Sequence, residues 1–549
     1  MKKLSLITAI ISPIIVTTIF CVTRILYYPI TDDYIFNFIS KGTYTGEPNA
    51  YLICIKYPIG WIIKNLYNIA GSINWFGIMY LLIILICTYT LTSVLKKYVN
   101  DWLAIFISLL LNIVMLCWIT FTVLAYFCIG IAIIKGLDTI SNPENKRTLN
   151  VINIAATVFL IVMSYAIRDQ AFLSGAFSLL AITVTIIVYF RKNIKISYLL
   201  IIGALSISVL FSIFITDKQA YSSKGWTDFL TWQKQRVAVG DYPIAGYDKN
   251  QSLYKKLSMS KNDYVGLLDF YEADKSFYST QRMKSVAQGT PKNERYDLNI
   301  INILLQMLKV KELWGLIIIC LFCVLFDNDK KRKITYILQG LLTTGVVAYT
   351  YIIQRPGERV YIPMYAIGII AIAYLFFREN DIQIKKSLRI GIILCTTIMV
   401  AMTALYCKQA LDIKKFKEER KETAQGLITY MRDNPSKLFV FNNYHHLLFN
   451  EPVLEIKSSD TYKNAMELSN YELYNDTYYK MVNKFNLEYP DRLLIDLAEN
   501  DNVYYVAHNR WKVDNVITYI REHTNKKVKT EVIKSFDNSD IKIYKIHYK

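Results

Sequence analysis

Long apolar runs separated by short basic turns fill the first three-quarters of the chain. A run of about 18 to 25 apolar residues crosses roughly 30 Å of hydrocarbon as a helix, with its backbone polar groups satisfied internally. The pattern predicts eleven membrane-spanning helices: Leu4–Tyr27, Trp75–Leu95, Trp102–Ile119, Phe121–Leu137, Val151–Ile167, Ala171–Phe190, Ile196–Ile215, Leu313–Phe326, Ile334–Ile353, Val360–Phe377 and Leu388–Cys407. The first run is too long for a signal peptide, no small-x-small site follows it, and Phe20 before Cys21 spoils a lipoprotein box.

Three polar stretches interrupt or follow this pattern, at 28–74, 216–311 and 408–549. The first holds an amphipathic run, Tyr34–Ser40, stopped by Gly42, then a turn at Thr45–Pro48. A second amphipathic run, Asn49–Asn68, is interrupted at Pro58 and Gly60. Such helices are expected to lie in the interface plane, apolar face down. Beyond Lys408 shorter helix-like and strand-like runs alternate. Helices are expected at Lys414–Met431, Tyr462–Glu472, Arg492–Ala498 and Val513–His523, and strands at Lys437–Phe441, Val503–Ala507, Val528–Ser535 and Ile541–His547. The fold class is thus a polytopic α-helical membrane protein, residues 1–407, followed by a small α/β domain, residues 408–549.

Composition agrees. Of 549 residues 53% are hydrophobic and only 19% charged, and mean hydropathy is +0.25, which excludes an ordinary soluble enzyme and a disordered chain. The net charge of +19 would suggest nucleic acid if it were spread over a soluble surface. It is not. The short loops on one side, with their edges, carry 18 Lys/Arg against 7 acids, whereas the tail is nearly balanced at 23 basic to 21 acidic. The excess is a positive-inside signal, and no nucleic-acid partner is expected. It places the N-terminus in the cytoplasm and the α/β domain outside.

The nine Cys follow no zinc spacing beyond one C-x-x-C in an apolar run (Cys320, Cys323), and the long polar stretches lack a disulfide framework. All five His lie beyond residue 440, so chemistry in the membrane part works without imidazole. His445 and His446 lack the spacing of a helical metal pair and read as ordinary polar positions.

Ionisable residues are scarce inside the runs, which argues against ion-coupled transport. They collect instead at the outer interface: Arg24, Asp32 and Asp33 after the first helix, Arg168 and Asp169 between the fifth and sixth, and Arg355, Glu358 and Arg359 between the ninth and tenth. Asp32 and Asp33 suit an N-terminal helix cap as well as a base. Each Arg suits head-group snorkelling, but three at one depth suit phosphate, which guanidinium binds bidentately. The loop 216–311 is aromatic (Tyr221, Trp226, Trp232, Tyr242, Tyr247, Tyr264, Tyr271), which fits sugar stacking and interface anchoring alike.

A carboxylate pair in a long external loop after helix 1, interfacial helices in that loop and an external C-terminal domain resemble the GT-C superfamily of integral-membrane glycosyltransferases. The segment Thr31–Trp75 is similar to a group of bacterial membrane proteins of this type, through Asp32–Asp33, Gly42-x-Tyr44-x-Gly46-x-Pro48, Tyr57–Pro58 and Asn74–Trp75. The likeness extends to Arg168–Asp169, Gly225–Trp226, Asn262–Asp263–Tyr264 and Arg355–Pro363.

The resemblance implies a polyprenyl-phosphate-linked sugar donor and a cell-envelope glycan or lipid acceptor, met on the external face of a bacterial plasma membrane. It implies Asp32 as catalytic carboxylate with Asp33 its neighbour, and phosphate binding by Arg168, Arg355 or Arg359. Substrate positioning falls to Tyr44, Glu47, Lys56, Tyr57, Asp169 and Glu358. Some members of the superfamily add a divalent cation, Mg²⁺ or Mn²⁺, and others none; Asp32, Asp33, Glu47 and Asp169 are the oxygen ligands at hand. Two rival readings stand beside this one: a polysaccharide polymerase or ligase using lipid-pyrophosphate glycans, and a non-enzymatic lipid-glycan flippase or envelope assembly factor.

Overall fold

The computed structural model describes residues 2–189, 194–380, 386–441, 448–459, 461–468, 471, 473–508, 510–536 and 539–549. Helices α1 (Lys2–Val22), α2 (Thr31–Lys41), α3 (Tyr57–Ile69), α4 (Trp75–Leu95), α5 (Asp101–Cys117), α6 (Phe121–Ser141) and α7 (Arg147–Ile167) come first. They are followed by α8 (Asp169–Ser178), α9 (Leu180–Tyr189), α10 (Ile196–Ala220) and α11 (Lys224–Gly240). Five short helices come next: α12 (Gln251–Lys256), α13 (Lys261–Leu268), α14 (Thr280–Gly289), α15 (Lys292–Arg295) and α16 (Ile300–Met307). The bundle closes with α17 (Lys311–Phe326), α18 (Lys330–Ile352), α19 (Glu358–Glu379) and α20 (Lys386–Glu419), and α21 (Lys421–Asp433) leads into the α/β domain.

Each of the eleven predicted runs is helical over most of its described length. Six helices are long and apolar enough by themselves to cross a membrane, and the α8–α9 pair makes a seventh. The chain is a multi-pass membrane protein. α6 is its axis, with nineteen of its residues buried, including every position from Phe121 to Ala132. An all-round apolar helix is stable only when surrounded, and α4, α7, α8 and α19 surround it.

Three predicted boundaries shift for local reasons. The first helix stops at Val22 rather than Tyr27, because Arg24 adopts a left-handed φ of 53° and the chain beyond it is extended. The run Ala171–Phe190 is not one rod; α8 and α9 meet at 53°. There the Gln339 side chain donates to Ser178 O at 2.6 Å and accepts from Ile182 N–H at 3.3 Å, replacing the ladder bonds the break removes. Phe190 itself lies outside the described residues. The last run continues through Cys407 to Glu419, so the helix expected at Lys414–Met431 is divided between α20 and α21.

In the α/β domain, β1 (Leu438–Phe441), β2 (Ala465–Glu467), β3 (Val503–Ala507), β4 (Val528–Ser535) and β5 (Lys542–Tyr548) form one sheet of order β2-β1-β3-β5-β4. β1 runs parallel to β2 and β3, and β5 antiparallel to β3 and β4. The domain adds three helices, α22 (Asp476–Val482), α23 (Leu493–Glu499) and α24 (Arg510–Thr524), of which α23 and α24 pack on the sheet. The helix expected at Tyr462–Glu472 is replaced by β2. Asn464 Nδ2 bonds the carbonyls of Met431, Asn434 and Lys437, and its own carbonyl accepts Phe439 N–H at 2.8 Å, which fixes an extended entry. His445 and His446 lie outside the described residues.

The α/β domain sits directly on the first loop. Tyr34 donates to Glu451 O at 3.0 Å, and Tyr462 N–H to Thr43 O at 3.0 Å. Helix α2 is therefore buried from Asp33 to Ser40, caught between bundle and domain rather than lying on the interface as expected. Its end is set by Gly42 at φ 84°, the left-handed cap; a Cβ there would come within 2.2 Å of the Glu47 carbonyl carbon.

Candidate functional site

Asp32 and Asp33 lie in the first turn of α2, not at its cap; the capping position is Ile30, which has no side-chain oxygen to offer. Adjacent helical residues point about 100° apart, so the two carboxylates have different surroundings. Asp33 points inward and is fully buried. Its Oδ1 accepts Tyr80 O–H at 2.6 Å and the backbone N–H of Phe121, the first residue of α6, at 2.8 Å. Burial pushes its carboxyl up to about 7, with Asp32 adding to the rise and the Tyr80 and Phe121 bonds opposing it. Asp33 thus fastens α2 to the axis of the bundle.

Asp32 points sideways. Its Oδ2 accepts Arg359 Nη1 at 3.0 Å, and each side chain keeps about a quarter or less of its surface exposed. Arg359 is the second residue of α19. Arg355, in the turn before it, pairs with Asp241 and lies over the Tyr242 ring, 5.1 Å from its centroid. Arg168 occupies the junction of α7 and α8. It lies over the Phe121 ring at 5.1 Å and donates to Gln170 Oε1 at 3.2 Å. Among the described residues it is the one cavity arginine with no direct carboxylate ion pair.

These three arginines line one cavity of 860 Å³. Gln170 and Tyr242 share its polar rim, while Leu173, Phe177, Leu341, Leu342 and Val346 make the opposite wall. Leu173, Phe177 and Leu341 are each more than half exposed on the outside of the bundle. No Cβ clash would arise at Gly345 between them. The cavity therefore opens sideways between α8 and α18, where hydrocarbon would be, and carries cations at its other end. Asp32 joins it through Arg359. The lining thus combines guanidinium groups, which pair with anions, and an apolar wall.

The other sequence-derived candidates fall elsewhere. Lys56 forms ion pairs with Asp169 at 3.0 Å and Asp217 at 3.3 Å, and Tyr57 N–H donates to Asp217 at 2.8 Å. These residues make a neighbouring node that ties the first loop to α8 and α10, outside the cavity lining. Tyr44 is buried between Phe38 and Tyr462. Glu47 is exposed at the turn after Gly42, and Glu358 is exposed and accepts from Tyr361 at 3.2 Å. None of these three lines the cavity. Sequence reasoning missed Asp241, Gln170, Tyr80 and Asp217. Each is an ordinary polar residue with no motif around it, and only Tyr242, within the aromatic loop, had been singled out.

Among the described residues, the one cluster with metal-ligand geometry is Asp263, Glu522 and His523. Its atoms already have partners. Asp263 accepts Ser260 N–H at 2.8 Å in a capping box and lies 2.8 Å from His523 Nε2, and Ser260 O–H bonds Glu522 at 2.7 Å. It clamps α13 to α24. Of the motif residues, Asn262 belongs to the same seam and Gly225 lies against α22. Asn262 donates to Asn515 O at 3.1 Å, and a Cβ on Gly225 would lie 2.9 Å from Asp476 Oδ1. At the cavity, the carboxylates are Asp32 and Asp241, each already paired with guanidinium, and Asp33, enclosed behind Tyr80. That set does not fit a resident Mg²⁺ or Mn²⁺.

No family model matches the chain, and no curated protein matches it. Among solved structures, ArnT from Cupriavidus metallidurans bound to undecaprenyl phosphate aligns over 99% of this chain and 96% of its own, at 10% identity and a TM-score of 0.40. At that score and identity the alignment decides neither fold nor chemistry, which rest on this chain's own geometry.

Proposed function

We propose that the chain is a GT-C-type membrane glycosyltransferase. It transfers a sugar from a polyprenyl-phosphate donor to a cell-envelope acceptor, a glycan or a lipid, on the external face of a bacterial plasma membrane. The observation that carries this reading is the pairing of Asp32 with Arg359 at the rim of a cavity that is cationic at one end and open to hydrocarbon at the other.

In this reading the prenyl tail enters between α8 and α18 and the phosphate meets Arg168 first, since Arg359 and Arg355 are held by Asp32 and Asp241. Asp32 takes the proton of the acceptor hydroxyl as its oxygen attacks the anomeric carbon. The new C–O bond forms as the bond from the anomeric carbon to the phosphate oxygen breaks. Polyprenyl phosphate leaves with the electron pair, its charge stabilised by guanidinium, and the anomeric centre inverts. No step is routed through a metal ion. Asp33 does not touch substrate and acts as a positioning residue.

The test supplies purified protein in lipid nanodiscs with radiolabelled polyprenyl-phosphate sugars, alongside Asp32→Asn. Donor consumption lost in the variant is expected. If wild-type protein leaves every donor untouched, or consumes only pyrophosphate-linked oligosaccharides, the reading fails, the second outcome in favour of a polymerase or ligase.

A further inference from the structure

The stretch 296–310 belongs by sequence to the polar external loop 216–311, yet its helix, α16, presents an apolar face. Leu298, Ile300, Ile301, Leu304, Leu305 and Leu308 are between 44% and 71% exposed, while Ile303 and Met307 face inward. The helix is held rigidly. Asn299 caps it by accepting Asn302 N–H at 3.1 Å, and Asp297 N–H donates to Ile352 O at 2.9 Å, fixing its start to the end of α18. Trp314 follows, half exposed, with its indole N–H on Leu308 O at 2.9 Å.

We infer that α16 is an interfacial helix whose apolar face is embedded in the acyl chains of the adjoining membrane leaflet, beside the cavity's side opening. Three observations select lipid over a protein partner. Helix α16 packs on α18, which with α17 carries further outward apolar residues, Trp314, Leu321, Leu338 and Leu341 among them. A basic residue, Lys309, stands exposed at its C-terminal end, where head-group phosphates would lie. A tryptophan sits at its edge, the residue best suited to the boundary between chain and head group. Aliphatic side chains gain free energy on leaving water, so six of them together resist a solvated position. α18, to which α16 is fixed, also lines the cavity with Leu341, Gly345 and Tyr349. The helix therefore sets the depth at which the opening meets the leaflet. The inference stands on geometry alone and does not require the transferase reading.

The test places p-benzoylphenylalanine at Leu304 of the full chain, in nanodiscs of phosphatidylglycerol and phosphatidylethanolamine, with the same group at Asp501, a fully exposed position of the α/β domain, as control. After irradiation, an adduct of phospholipid mass is expected at position 304, at least about tenfold above that at 501. Equal labelling at the two positions, or an adduct of protein mass at 304, whether a second copy or another chain, overturns the inference.

Discussion

Asp33 accepts the backbone N–H of Phe121 at 2.8 Å across a sequence separation of 88 residues. One carboxylate of an adjacent pair thus holds the first N–H of the central helix α6, while its neighbour meets the cavity through Arg359. The pair divides its labour by helical geometry, and the two substitutions should have different consequences.

Asp32→Asn keeps the fold and removes the base, so donor turnover should fall by about 10²- to 10⁴-fold with little change in melting temperature. Tyr80→Phe should do the reverse. It leaves a buried Asp33 oxygen short of a bond at a cost of about 1–3 kcal/mol, seen as a lower melting temperature with turnover affected less. Steady-state assay and thermal unfolding of both variants separate the roles.

The raised carboxyl of Asp33 makes stability depend on pH with a defined sign. The unfolded chain releases this proton near 3.8 and the folded chain near 7. Between those values the folded state binds more protons, so its stability falls as pH rises and levels off above the folded value. Melting temperatures of wild type measured from pH 5 to 8 should decline relative to those of Asp33→Asn, which lacks the group. Parallel profiles would contradict the assignment.

The three arginines should not be equivalent. Arg168, without a carboxylate ion pair, is expected to contribute most to donor binding, so Arg168→Ala should raise the donor KM more than Arg355→Ala does. Arg168→Lys should restore only part of the loss, because ammonium does not reproduce the bidentate geometry. KM and kcat measured for the three variants rank them.

Gly345 lies in the lateral wall with open space around it. Gly345→Phe should obstruct the path of a lipid tail and raise KM for long-chain donors more than for short-chain analogues, with melting temperature preserved. Comparing a polyprenyl donor with a two-isoprene analogue measures the difference.

Much of the architecture was legible in the chain. Apolar length alone placed the helical runs, Gly42 ended α2 where expected, and alternation gave four of the five strands. β2 was not legible, because three residues carry no period and their conformation follows from Asn464 bonds to carbonyls between Met431 and Lys437. The site was half legible. Asp32, Arg168, Arg355 and Arg359 stood out because charge is costly and scarce within the apolar runs, so the few charges at their outer ends are conspicuous.

What the sequence by itself determined is the depth of these residues, since helix length against a fixed hydrocarbon thickness sets where each loop emerges. What only the tertiary structure decided is azimuth: which loops neighbour each other around the bundle, and which way each side chain points. Depth is a property of one segment and can be read along it, but azimuth depends on how helices remote in sequence pack. Hence Asp32 found Arg359, Arg355 found Asp241, and Arg168 was left at the cavity without a direct carboxylate ion pair among the described residues, with Gln170 and the Phe121 ring beside it.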